Sequence, residues 1–252
     1  MGRLKSEYKG ANHNRTIGVG DLGESIDTSD KRFDTRSVDL GKIRPDLQYD
    51  FIEELLRPYA SLIDAELDGN HEYGLMRYYP YIDRMCKNLG VRYGTTSAVI
   101  SYYYWKNSKA PLFKIYAHHG KGTIRSAADD PERVEANLNL SLKRKLKGLA
   151  GDCAVMMMGH THLQLICKPK KTLYLSSNKN GDETHHYHKS RQNDKFIHPD
   201  HRWYINTGTM RRTRMRGFSD YAERFMYPPV ELGHPVIMIR DGKIVDAEKV
   251  YV

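Results

Sequence analysis

Apolar residues along this chain come in short blocks, and the spacing within each block predicts an element. "TIGVGD" (16–21) is a short buried strand ending at Asp21, and "SLIDAELDGNHE" leads through a second short strand into Asn70 and His71. "DLQYDFIEELLR" (46–57) places Phe51, Leu55 and Leu56 at helical spacing before Pro58 disturbs it. A helix over 75–90 ends at Gly90, with Pro80 early in it. Two runs rich in β-branched and aromatic residues, 96–105 and 111–120, are strands. The block 129–149 is a helix with Asp130 as its cap, Pro131 at its first position and basic residues in its last turns. "AVMMM" (154–158) is a buried strand that stops at Gly159, with His160 and His162 at its mouth. A hairpin over 163–176, a polar excursion over about 177–201, a strand at 202–208 and a C-terminal hairpin around Asp241-Gly242 complete the pattern.

Helices interspersed among strands argue for an α/β (α+β) fold built as a layered sandwich. No internal repeat or low-complexity linker divides the 252 residues, so a single domain over 1–252 is expected, with 177–201 as a polar insertion. Three cysteines without CxxC spacing exclude a disulfide framework and a thiolate zinc knot, and they fit a reducing compartment. No apolar run reaches the roughly 20 residues needed to span a bilayer, and the first ten residues lack the core of a signal peptide. A soluble cytoplasmic protein without a membrane partner is the expectation.

Charge changes the picture next. Forty Lys and Arg against 31 Asp and Glu give +9, concentrated at 143–147, 168–171 and "RRTRMR" (211–216). Such a field attracts polyanions, nucleic acid above all. The lysine clusters fit a solvated surface equally well, whereas Arg211, Arg212 and Arg214 follow a Gly-Thr turn and are candidates for substrate contact.

Four strand exits carry metal-competent side chains beside glycine: "VGDLGE" with Asp21, "DGNHE" with Asn70 and His71, "IYAHHG" with His118 and His119, and "MGHTH" with His160 and His162. Carboxylate, amide oxygen and imidazole together suit Mn²⁺, Fe²⁺ or Zn²⁺, with Ni²⁺ also compatible. A carboxylate can bridge two ions about 3.5 to 4 Å apart, a spacing that clamps a phosphoryl group.

The order GD, GNH[DE], a strand-ending His and GHxH resembles the calcineurin-like metallophosphoesterase superfamily, including its phage and archaeal members, over residues 17 to about 210. The resemblance implies an α-β-β-α sandwich and a dinuclear centre, most often with Mn²⁺. It also implies residue roles. Asp21 bridges the two metals, Asn70 and His160 bind the second, and His162 binds the first. His118 is the strand-ending ligand, with His119 the alternative. His71 protonates the leaving group. The superfamily's opening strand with Asp-x-His has no match upstream of Asp21; His13 in "GANHNRT" follows no strand. The sheet is therefore expected to lack its first strand. The second site keeps Asp21, Asn70, His118 and His160, and the first keeps Asp21 and His162, which predicts one well-held ion. An N-terminally shortened chain and a degenerate relative both explain the gap.

Around this set, Glu24, Asp27, Asp30, Lys31, Arg32 and Asp34 are either substrate contacts or a polar loop. Tyr221 and Glu223 are expected to pack, His185, His186, His188, His198 and His201 to sit in a mobile insertion, and "SYYYW" to be a half-buried strand. The function expected is a metal-dependent phosphodiesterase acting on nucleic acid, nuclease-like and DNA-binding, with His71 as acid. The alternatives are a noncatalytic metal-binding module and a serine/threonine protein phosphatase.

Overall fold

The computed structural model describes residues 14–26, 28–30, 33–36, 39–212, 214–215, 218–219 and 221–252. His13, Asp27, Lys31 and Arg32 lie outside them, as do the side chains of Arg214 and Tyr221. The chain is mixed α/β, with several separate sheets and five α-helices among the described residues. It divides into two compact units, one of residues 1–98, 118–121 and 210–232 and one of 99–117, 122–209 and 233–252.

In the first unit, β1 (Thr16–Gly18) and β2 (Ile63–Glu66) run parallel, with Ile17 opposite Ala65 and Gly18 opposite Glu66. Between them lies α1 (Pro45–Leu56), its first residue a proline whose missing N–H costs nothing at that position. After β2 come α2 (Asn70–Leu75) and α3 (Tyr81–Leu89). The single helix expected over 75–90 is two, because Pro80 disfavours helical geometry in the residue before it and instead caps α3. Tyr49, Leu75, Ile82, Met85 and Cys86 form the core, with Leu22, Ile52 and Leu56 packed against it. Later in this unit stand the short pair β10 (Arg214–Met215) and β11 (Phe218–Ser219) and the single turn α5 (Tyr221–Arg224).

The second unit is organised by a sheet whose strands stand in the order β3 (Ser97–Tyr102), β4 (Phe113–His118), β5 (Val155–Met158), β9 (Trp203–Thr207) and β6 (Gln164–Cys167). Strand β5 (Val155–Met158) is buried at every position and runs parallel to β9 (Trp203–Thr207), Met158 opposite Asn206. Burial of each methionine side chain contributes about 1.5–3 kcal/mol. The helix α4 (Pro131–Leu146) begins as expected, Asp130 accepting a bond from Arg133 N at 2.9 Å, and packs Leu142 and Leu146 among Met156, Met158 and Tyr204. Arg202, 1% exposed, donates to the carbonyls of Lys147 and Ala150 just beyond α4. Its charge is thereby spent on carbonyls the helix end leaves without partners.

The hairpin expected over 163–176 does not form. β6 (Gln164–Cys167) pairs with β9, and β7 (Thr172–Ser177) pairs with β8 (Glu183–His188), inside the segment expected to be a polar excursion. The reason is turn chemistry: "KPKK" offers no residue suited to a tight turn, whereas Asn180-Gly181 does. The C-terminal hairpin of β12 (Gly233–Arg240) and β13 (Lys243–Tyr251) turns at Asp241-Gly242 as expected, with φ of 51° and 71°. All three cysteines are free, and among the described residues no helix is long and apolar enough to cross a membrane.

Candidate metal centre

The exits of β1 and β2 meet backbone to backbone. A Cβ at Gly20 would lie 2.3 Å from Gly69 N, and one at Gly69 would lie 2.0 Å from Asp21 Oδ1. Glycine in both the GD and the GNH segments is thus required by mutual contact, and Gly20 in addition has φ +88°. The contact sets Asp21, itself at φ 56°, over the start of α2, where His71 N donates to its Oδ1 at 3.1 Å.

Glu72 fixes this arrangement, and sequence reasoning gave it no role. Its Oε2 accepts from Asp21 N (2.9 Å) and Gly69 N (2.8 Å), and its Oε1 from Leu22 N (2.8 Å) and Gly23 N (3.3 Å). Tyr49, buried in the core, adds its hydroxyl at 2.9 Å. One carboxylate therefore ties both strand exits together. The signal was available as a glutamate at the third helical position after Gly69, where such a side chain reaches back to the residue preceding the helix.

Of the two adjacent imidazoles, the geometry selects the one the sequence reading placed second. Along β4 the residues Phe113, Ile115 and Ala117 are buried and those between them half-buried, so the two-residue period continues to His119, which is 2% exposed. His119 Nε2 lies 3.0 Å from Asn70 Oδ1 and 3.3 Å from Asp21 Oδ2. His118 stands on the other side of the strand, its Nδ1 accepting from Gly120 N at 2.7 Å. In place of His118, His119 is the imidazole beside Asp21 and Asn70.

The protonation of His119 follows from its partners. Nδ1 lies 2.7 Å from the Val19 carbonyl, which can only accept, so Nδ1 carries a proton and Nε2 faces the two oxygens. Burial opposes charge on Asp21, but the bond and positive charge of His119, with His71 beyond, outweigh it and bring the carboxyl down to about 2. Burial likewise opposes charge on His119, and the bond to Asp21, its negative charge and the Val19 carbonyl outweigh it, raising the imidazole above its ordinary value. Two oxygens converging on one nitrogen need a positive charge between them, supplied by a proton or by a cation.

These donors fit a divalent ion. Ligand atoms about 2.1 Å from one ion at right angles lie about 3 Å apart, close to the separations around Nε2. The set is oxygen and imidazole, without thiolate. A carbonyl holding the far nitrogen is the usual support for an imidazole ligand.

His71 belongs to the same unit. Its Nδ1 lies 2.7 Å from the Glu24 carbonyl, which leaves Nε2 as the exchangeable nitrogen. Arg211, expected to meet substrate, has Nε 3.0 Å from Glu24 Oε1, on the residue that holds His71. Arg212 is exposed, and Asp34 pairs with Arg36 at 2.9 Å. In the second unit, His160 and His162 follow β5 as expected. Both are half-buried and both have left-handed backbones, φ 69° and 59°, a conformation costly for a side-chain-bearing residue and concentrated at functional sites. Thr161 between them receives a bond from the Asn206 amide. Compared with protein-family models, curated proteins and solved structures, the chain matches none of them.

Proposed function

We propose that the chain is a metal-dependent phosphoesterase, most readily a nuclease-like phosphodiesterase. The convergence of Asp21, Asn70 and His119 around one imidazole nitrogen carries the reading. The resemblance of the GD, GNHE and GHTH segments to the metallophosphoesterase superfamily, with its sandwich fold, supports it and assigns His160 and His162 as further ligands. When bound, a divalent ion such as Mn²⁺ supplies Lewis acidity toward a phosphoryl oxygen and makes water a nucleophile near neutral pH.

The residues do the remainder. Asp21 and His119 would place a carboxylate oxygen and the Nε2 lone pair at the ligand positions, the ion taking the place of a proton between them, and Glu72 keeps Asp21 in register. Water adds to phosphorus as the bond to the leaving oxygen breaks, and that oxygen takes a proton from Nε2 of protonated His71. The +9 charge favours a nucleic-acid ester over a small monoester. Three free cysteines fit a reducing cytoplasm.

Mn²⁺-dependent hydrolysis of bis-p-nitrophenyl phosphate tests the reading, with Asp21→Asn and His119→Ala each expected to lower turnover at least about a hundredfold. Retained turnover in both would remove the metal centre from the reaction. The second reading is a noncatalytic metal-binding module that keeps one ion at Asp21, Asn70 and His119. It predicts metal binding without turnover.

A further inference from the structure

The β7–β8 ribbon belongs to no part of the proposed reaction, yet it is built with care. Asn178 Oδ1 accepts from the backbone N–H of Asn180 (2.8 Å) and Asp182 (3.0 Å), closing the turn. At the root, His201 is 4% exposed; its Nδ1 accepts from Ser190 N (2.9 Å), which leaves the ring proton on Nε2 to be donated to Thr172 Oγ1 (3.0 Å). Gln192 donates to the carbonyls of Leu112 (3.0 Å) and Gly242 (2.6 Å). The ribbon is therefore anchored at its base and closed at its tip.

Between those ends, every residue of both strands except His186 is exposed. Leu173 pairs with Tyr187 and Leu175 with His185, so these four share one face, on which Leu173 and Leu175 are each 51% exposed and Tyr187 is 67% exposed. Three large apolar side chains exposed together on one face of an isolated ribbon mark an interaction site. Its charge says with what. From 168 to 191 there are six cations and two carboxylates. Lys168 pairs with Asp246, while Lys170, Lys171, Lys179 and Lys189 have no carboxylate within ion-pairing distance among the described residues. Lys171 Nζ stands 6.0 Å from the Tyr187 ring. Beside the root, a pocket of about 520 Å³ adds Arg191 and Lys243.

A second copy would set this basic segment against itself. Single-stranded nucleic acid instead offers bases to an exposed aromatic and aliphatic face and phosphates to the lysines around it. We propose that the β7–β8 ribbon is an arm for single-stranded nucleic acid, with Leu173, Leu175 and Tyr187 receiving bases and Lys170, Lys171, Lys179 and Lys189 receiving phosphates. This deepens the nucleic-acid reading above and is tested apart from catalysis.

The experiment is fluorescence anisotropy of the full chain with EDTA present, using labelled oligothymidine of about 20 nucleotides and a duplex of equal length. Tighter binding of the single strand is expected. Tyr187→Ala should weaken it about tenfold, and replacing the four lysines by Ala should flatten the dependence of log affinity on log salt by about 3. Both variants should keep the melting temperature and the Mn²⁺-dependent turnover of bis-p-nitrophenyl phosphate. Wild-type affinity and salt slope in both variants overturn the arm, as does preference for the duplex. So does a wild-type dimer that Leu173→Asp converts to monomer. Binding lost in the ribbon variants of a chain that shows no turnover with any metal would sustain the arm while removing the catalytic reading.

Discussion

Gly69 and Asp21 touch so closely that a Cβ on the glycine would sit 2.0 Å from the aspartate's Oδ1 and 2.3 Å from its backbone nitrogen. Backbone cannot give way as a flexible side chain would, so Gly69→Ala must displace the loop that carries Asp21. The expected cost is about 1–3 kcal/mol of stability, with Mn²⁺ affinity lowered at least about tenfold. Thermal unfolding and titration calorimetry measure the two effects. Wild-type affinity in the variant would show that the position of Asp21 does not govern binding.

The two neighbouring histidines separate cleanly. His119→Ala removes the nitrogen between Asp21 and Asn70 and should reduce Mn²⁺ affinity by about 10–100-fold or more. His118→Ala removes an acceptor for Gly120 N, on the side of the strand away from Asp21, and should change affinity by less than about threefold. Reversed magnitudes in calorimetry would return His118 to the ligand position.

Glu72 collects four backbone N–H groups and the Tyr49 hydroxyl. In Glu72→Gln one oxygen becomes an amide NH₂ facing buried donors, a change expected to cost about 2–5 kcal/mol. Tyr49→Phe removes one bond and should cost about 1 kcal/mol. Hydrogen exchange at Asp21 and Leu22 should speed up in the first variant before global unfolding does. Unchanged exchange at those amides would mean that Glu72 does not hold the loop.

Glu66, 2% exposed in β2, gives the fold a pH dependence of its own. Burial, with the negative charge of Glu72 adding to it, pushes its carboxyl from 4.5 up to about 8. Below pH 4.5 the group is neutral folded and unfolded, and its contribution to stability is complete. Between 4.5 and about 8 only the unfolded chain ionises, so stability falls, by at most about 5 kcal/mol once the folded value is passed. Glu66→Gln, neutral throughout, should gain on the wild type as pH rises from 5 to 9 in urea titrations. A constant difference across that range would reject the assignment.

Much of this was legible in local pattern. The strand before each of the four glycine-flanked segments follows from short apolar runs, and the α4 start follows from Asp130 and Pro131. What failed was non-local or lay one residue further along. The resemblance gives the ligand position to His118, while the alternation of Phe113, Ile115 and Ala117 continues to His119 and points that imidazole inward, beside Asp21. The β7–β8 ribbon was hidden because its strands carry polar and apolar residues on both faces, leaving only Asn180-Gly181 to announce it. Glu72 serves two strand exits some fifty residues apart, a relation that no window of sequence displays.

The part given to His71 depends on what leaves. Its Nδ1–H is committed to the Glu24 carbonyl, so only Nε2 can deliver a proton, and Arg211 stabilises Glu24 from the other side. A p-nitrophenolate departs readily without protonation, whereas the alkoxide of a nucleic-acid strand does not. His71→Ala should therefore lower kcat on an oligonucleotide about 10²–10⁴-fold and on bis-p-nitrophenyl phosphate far less. Arg211→Ala, acting through Glu24, should lower oligonucleotide kcat by about tenfold with little change in KM. Arg211→Lys keeps a charge but not the planar guanidinium and should restore part of the loss. Equal losses on both substrates for His71→Ala would mean that the imidazole binds the phosphoryl group and leaves the departing oxygen unprotonated.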